Sequence, residues 1–182
     1  MFISAEKRKN NIAEYLLYMW QIEDLIRANH MNIDEIKRNI IDKFELSYDQ
    51  RREMTQWYES LIEMMRLEGV EMKGHLQVNK NVLIRMVDLH LALLKDPKFA
   101  DYSAEFYKTL PFIVELRAKS GSEKSGEIET CFNALYAMLL MRLQQKNISE
   151  ETAQAIAQIS KFIGLLTHYF HLDDKGELFN ED

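Results

Sequence analysis

Six glycines and two prolines are all that 182 residues offer for tight turns. A sandwich, a barrel or a doubly wound sheet needs many short connections, and these draw on glycine for positive φ and on proline for a preset φ. A chain this poor in both folds with few connections between long elements. Its 47% hydrophobic and 29% charged residues suffice for a core beneath a solvated surface. The expected fold class is all-α: a single-domain helical bundle of about six to seven helices over residues 1–172, with a flexible linker at about 120–126 and an acidic tail at 173–182.

Start and stop signals divide the chain. The first helix is expected from about Ala5 to Ala28, closed by the Asn29 to Asn32 stretch, and Asn32 with Glu35 makes a capping-box signature for a second helix from Ile33 to Phe44. Ser47 and Gln50 repeat the signature before a long helix to Glu68, which reaches His75 if it survives Gly69 and Gly74. A fourth helix covers Asn81 to Lys95, and Asp96-Pro97 opens a short turn. Tyr102 to Lys119 is helical in pattern, with Pro111 set to kink it or restart it. The Ser120 to Gly126 run is flexible by composition. Two helices follow, Glu127 to Gln145 and Glu150 to Phe170, the latter capped by Ser149.

A net charge of −6 argues against a protein built on phosphate contacts, so no nucleic-acid partner is expected. The lone Cys131 excludes an internal disulfide and a cysteine-rich zinc site. The longest run free of Asp, Glu, Lys and Arg is the twelve residues Thr130 to Met141, and Glu6 and Lys7 follow Met1 without an apolar h-region. The expectation is a cytoplasmic chain with neither a membrane span nor a secretory signal.

Unrolling each helix at about 100° per residue shows which polar side chains fall on the apolar face. Glu23 falls among Ile12, Leu16, Met19 and Ile26. Glu68 falls on the Met54, Trp57, Leu61, Met65 and Met72 stripe, which His75 joins if the helix continues. His90 lies among Leu83, Met86, Val87 and Leu94, while Arg117 and Arg142 continue the inner stripes of their helices. Two inward acids and two inward arginines balance, as burial of charge requires. One arrangement pairs Glu23 and Glu68 with Arg117 and Arg142 in buried bridges that set helix register. The other lines a polar interhelical cavity with Glu23, Glu68, His75, His90, Arg117 and Arg142, where two guanidiniums would hold a small anionic ligand.

Motifs of catalysis are absent: no G-x-S-x-G, P-loop, G-x-G-x-x-G or H-E-x-x-H occurs. No histidine follows an acid by three residues, as a carboxylate-bridged metal bundle would need, and no metal or cofactor is expected. Cys131 sits on an apolar stripe as a small core residue. An inward Glu/His pair leaves acid–base catalysis as the alternative to binding. Tyr18, Leu25, Leu17, Leu165 and Tyr169 lie at the margins of their stripes, an apolar surplus that suits a symmetric homodimer.

The runs EKRKNNIAEYLLYMWQIEDLIRAN, QWYESLIEMMRLEGVEMKGHLQVNKN, YKTLPFIVELRAKSG and IETCFNALYAMLLMRLQ resemble an uncharacterised bacterial all-helical family, a domain of unknown function of about this length. The resemblance spans most of the chain and implies a soluble helical protein; it transfers no activity, cofactor or site residue. The function expected is therefore a non-enzymatic helical binding or interaction protein, self-associating, with a small anionic ligand near Arg117 and Arg142.

Overall fold

The computed structural model describes residues 2–120 and 125–179. Among these the protein is all-α, with eight α-helices rather than six or seven, two 3-10 turns and no strand. The chain divides into two compact units, Met1–Val82 and Leu83–Asp182.

The first unit holds α1 (Phe2–Asn10), α2 (Ile12–Ala28), α3 (Ile33–Asn39), a 3-10 turn (Ile41–Lys43), α4 (Tyr48–Leu67) and the start of α5 (Gln77–Lys95). The single helix expected from Ala5 to Ala28 is broken at Asn11. That residue is extended (φ −155°, ψ 98°) and its side chain accepts the Glu14 N–H at 3.0 Å. A short amide offers the backbone a cap that competes with helix continuation, and here the cap wins. Helix α2 ends in two consecutive left-handed residues, His30 and Met31, with φ of 55° and 56°. Asn32 then caps α3 as expected, accepting from Asp34 N at 2.9 Å and Glu35 N at 3.4 Å. The Glu35 carboxylate does not close the box; it meets His30 Nδ1 at 2.8 Å.

Ser47 and Gln50 form the complete reciprocal capping box of α4. At the far end Gly69 adopts φ +66°, its N–H bonds to Arg66 O at 3.1 Å, and Val70 N bonds to Met65 O at 2.9 Å. This is a Schellman closure, which needs a residue free of Cβ strain at that φ. It overturns the continuation toward His75 and leaves Met72 89% exposed.

In the second unit a 3-10 turn (Pro97–Phe99) capped by Asp96 leads into α6 (Ala100–Ser120), followed by α7 (Glu127–Leu143) and α8 (Glu150–Asp174). These three helices pack mutually. Their core joins Tyr102, Phe106 and Ile113 of α6 to Phe132 of α7 and Phe162 and Leu166 of α8, all buried. Helix α6 runs unbroken through Pro111. Residues 121–124 of the expected linker lie outside the described residues, while Gly126 supplies the N-cap of α7. Helix α8 passes its expected end at Phe170 and takes in the first two residues of the expected acidic tail; residues 180–182 of that tail lie outside the described residues.

Candidate binding site

Glu23 is inward, as its helical position predicts, and is fully buried. Its carboxylate accepts from the Leu76 N–H at 3.0 Å and from Asn79 Nδ2 at 2.7 Å on one oxygen, and meets His75 Nδ1 at 2.6 Å on the other. The His75 ring is half-buried and stacks on Trp20, with centroids 4.1 Å apart and planes within 12°. Glu68 is corrected: with α4 closed at Gly69 it becomes the exposed C-cap, and its carboxylate accepts the Gln77 N–H at 2.6 Å. The first turn of α5 has no acid of its own. Glu23 and Glu68 supply carboxylates to the Leu76 and Gln77 N–H groups that open it, where backbone donors lack partners and the helix dipole favours negative charge. Arg27 pins the same connection, donating to Asp24 and to the carbonyls of Val70 and Gly74. Glu23, Glu68 and His75 thus assemble a helix start.

In the second unit His90 is buried, with Nδ1 2.7 Å from the Tyr102 hydroxyl and edge-on contacts to Phe106 and Phe162. Burial pushes its imidazole down to about 4 and the nearby Cys131 thiol up to about 12, so both are held neutral at pH 7. Arg117 is half-buried: Nε donates to Thr130 Oγ1 at 3.1 Å and the guanidinium lies 3.4 Å from Glu127. Arg142, expected on the inner stripe, is exposed in the last turn of α7. The bridges expected from Glu23 and Glu68 to Arg117 and Arg142 are replaced by partners nearer in sequence, because the acids meet an under-capped helix start first. One buried acid, Glu105, escapes the sequence reading. It accepts from Lys161 at 2.9 Å and Gln158 at 2.7 Å, and the ammonium holds its carboxyl below the usual range.

An apolar concave site of the first unit lies elsewhere. A cavity of about 280 Å³ opens between α2, the segment after α3 and α4. Ile22 and Leu25 form its α2 wall, Ile40, Phe44 and Leu46 its outer wall, and Met54 the α4 side. Tyr18, Tyr58, Gln21 and Gln50 are the polar members, and among the described residues no charged side chain lines it. Burial pushes both phenols above their ordinary value, so they face the cavity as protonated hydroxyls. Gln50 Oε1 is committed to the Ser47 N–H in the α4 capping box, which fixes that amide at the rim. Tyr18 and Leu25 belong to the apolar surplus visible in the sequence; Ile40 to Phe44, expected inside the second helix, instead follow its end at Asn39 and with Leu46 form a wall that the sequence does not signal. The chemistry of such a lining is binding of an uncharged apolar group, since it presents hydroxyls and amides but no nucleophile, base or counter-ion.

Among the described residues no group of three His, Cys, Asp or Glu is placed to hold a metal ion, and no helix is long and apolar enough to cross a membrane. Comparison with curated proteins and with solved structures returns no match. A family model, described as a domain of unknown function, DUF4924, matches residues 1–177. The match extends over nearly the whole chain, and the protein belongs to the DUF4924 family.

Proposed function

We propose that this protein acts by binding rather than catalysis, and that its ligand is a small uncharged molecule held in the apolar cavity between α2 and α4. The observation that carries this reading is the cavity itself: about 280 Å³, walled by aliphatic and aromatic side chains, with phenols and amides as the polar side chains among the described residues of its lining. Ligand sites are typically apolar concavities with a few placed polar groups. A cavity near 150 Å³ accommodates a benzene ring, so this one suits a bicyclic ring or a short branched chain. A hydroxyl or carbonyl on the ligand would meet Tyr18, Tyr58 or Gln50. An ionised ligand would be stripped of water with no counter-charge in the lining.

The small-anion reading does not draw comparable support, because Arg117 is engaged by Glu127 and Thr130 while Arg142 lies exposed. The Glu23–His75 pair has the form of an oriented imidazole, but its carboxylate also serves the Leu76 N–H and Asn79, which favours a structural role.

The test is calorimetric titration of the full chain with 2-naphthol and, separately, 2-naphthoate. Saturable one-to-one binding of the phenol, weaker by at least about tenfold for the carboxylate, is the expected result. Binding should vanish in Leu25→Trp and Met54→Trp, each of which fills the cavity from a different wall. Undiminished binding in both variants, with helical circular dichroism intact, would overturn the proposal, as would failure of the wild-type chain to bind either probe.

A further inference from the structure

A second surface breaks the rules for an exposed helix face in three places at once. On α6, Tyr107 is 64% exposed and Val114 56% exposed, and between them Pro111 is exposed in the middle of the helix. The spacing i, i+4, i+7 stacks the three on one stripe, which exposed Ala104 and Ala118 extend at either end. An interior proline forgoes a backbone hydrogen bond and costs the helix roughly 3 kcal/mol. Nothing in the packing of α6 against α7 and α8 uses Pro111, which faces away from the buried Phe106, Thr109 and Ile113.

The charges beside the stripe specify what covers it. Asp101, Lys108 and Glu115 run along one flank at seven-residue spacing, all exposed, with alternating sign. Lys108 reaches Glu105 only at 3.8 Å, and Glu115 is paired within its own helix to Lys119 at 2.5 Å, so both keep a solvent-facing side. When two identical helices pack antiparallel about a two-fold axis, a given flank of one faces the same flank of the other. An axis passing between Pro111 and Phe112 sets Lys108 of each copy across from Glu115 of the second copy, twice over. It also lays Tyr107 of each copy beside Val114 of the other. Opposite pairing across such a seam fixes both orientation and register.

We infer that α6 is a self-association helix, joining two copies of this chain in antiparallel register through Tyr107, Pro111 and Val114, with reciprocal Lys108 to Glu115 bridges. The two-fold makes each substitution act twice, so modest local changes have large effects on the dimer. Sedimentation equilibrium of the full chain at micromolar concentration is expected to give twice the chain mass. Val114→Glu and Lys108→Glu should each weaken association by at least about tenfold. The exchange Lys108→Glu with Glu115→Lys should restore it, and thermal melting of the variants at high dilution reports whether they remain folded. A monomeric wild-type chain overturns the inference. So does a dimer indifferent to Val114→Glu, or one that yields to Val114→Glu and ignores the charge exchange, since the antiparallel register would then be wrong.

Discussion

Glu23 ties α2 to the start of α5. A fully buried carboxylate survives only when its oxygens are filled, and three donors from the start of α5 fill them. Replacing it by Ala orphans the Leu76 N–H and the Asn79 amide together, and a loss of about 3–5 kcal/mol is expected in urea denaturation; a loss below about 1 kcal/mol would show that water takes over those donors. His90 makes a different prediction, in pH. The unfolded chain protonates this imidazole as pH falls through 6.5, whereas the buried ring resists until about 4. Stability is therefore complete above pH 6.5 and is lost as pH falls toward 4, by roughly 3 kcal/mol from this group. His90→Gln keeps a partner for the Tyr102 hydroxyl and does not titrate, so its stability should vary less between pH 7 and pH 4.5; equal slopes for both proteins would assign the acid sensitivity to other groups. Both residues were legible as inward from helical periodicity alone. Their partners were not, because a helical wheel gives direction and says nothing of which element arrives opposite.

At the scale of elements, the connection from α4 to α5 decides where several side chains point. Gly69 at φ +66° has open space around the position a Cβ would take. Gly69→Ala is thus a test of backbone conformation alone, with an expected loss of about 1 kcal/mol; no loss would mean that the Schellman closure is dispensable. This same closure separates His75 and Met72 from the stripe, since both positions follow only from continuing the helical phase through Gly69, and it leaves Glu68 at the exposed C-cap. In the sequence the glycine was visible but its φ was not. Asn11 is the parallel case, a residue compatible with either a helix interior or a cap, which the Glu14 N–H resolves toward the cap. The opposite lesson comes from α6, where local chemistry argues against a continuous helix and tertiary packing keeps it continuous through Pro111. Pro111→Ala should raise stability by about 1–3 kcal/mol in the same denaturation assay. A destabilising result would indicate that the ring makes contacts worth more than the hydrogen bond it forgoes.

At the scale of the molecule, the two proposed activities use separate surfaces and different chemistry. The cavity is neutral and apolar, whereas the α6 stripe is apolar at its centre and charged along its flank. The all-helical class and the family were readable from composition and wording, but one wall of the cavity was not. Its outer wall, Ile40 to Leu46, follows from Ile40 leaving helical conformation (φ −125°, ψ −64°), after which a 3-10 turn carries Phe44 to the rim. No periodicity announces such a path. Tyr18 and Leu25 announced themselves as an apolar surplus, and the cavity is where part of that surplus is spent.

The most direct test of the account is methyl NMR of the full chain during titration with 2-naphthol. The cavity reading predicts that the methyls of Ile22, Leu25, Ile40 and Met54 shift first and saturate together, while those of the second unit, Ile113, Ile128 and Ile163 among them, stay in place. Shifts confined to the second unit, or spread without saturation over both, would contradict it.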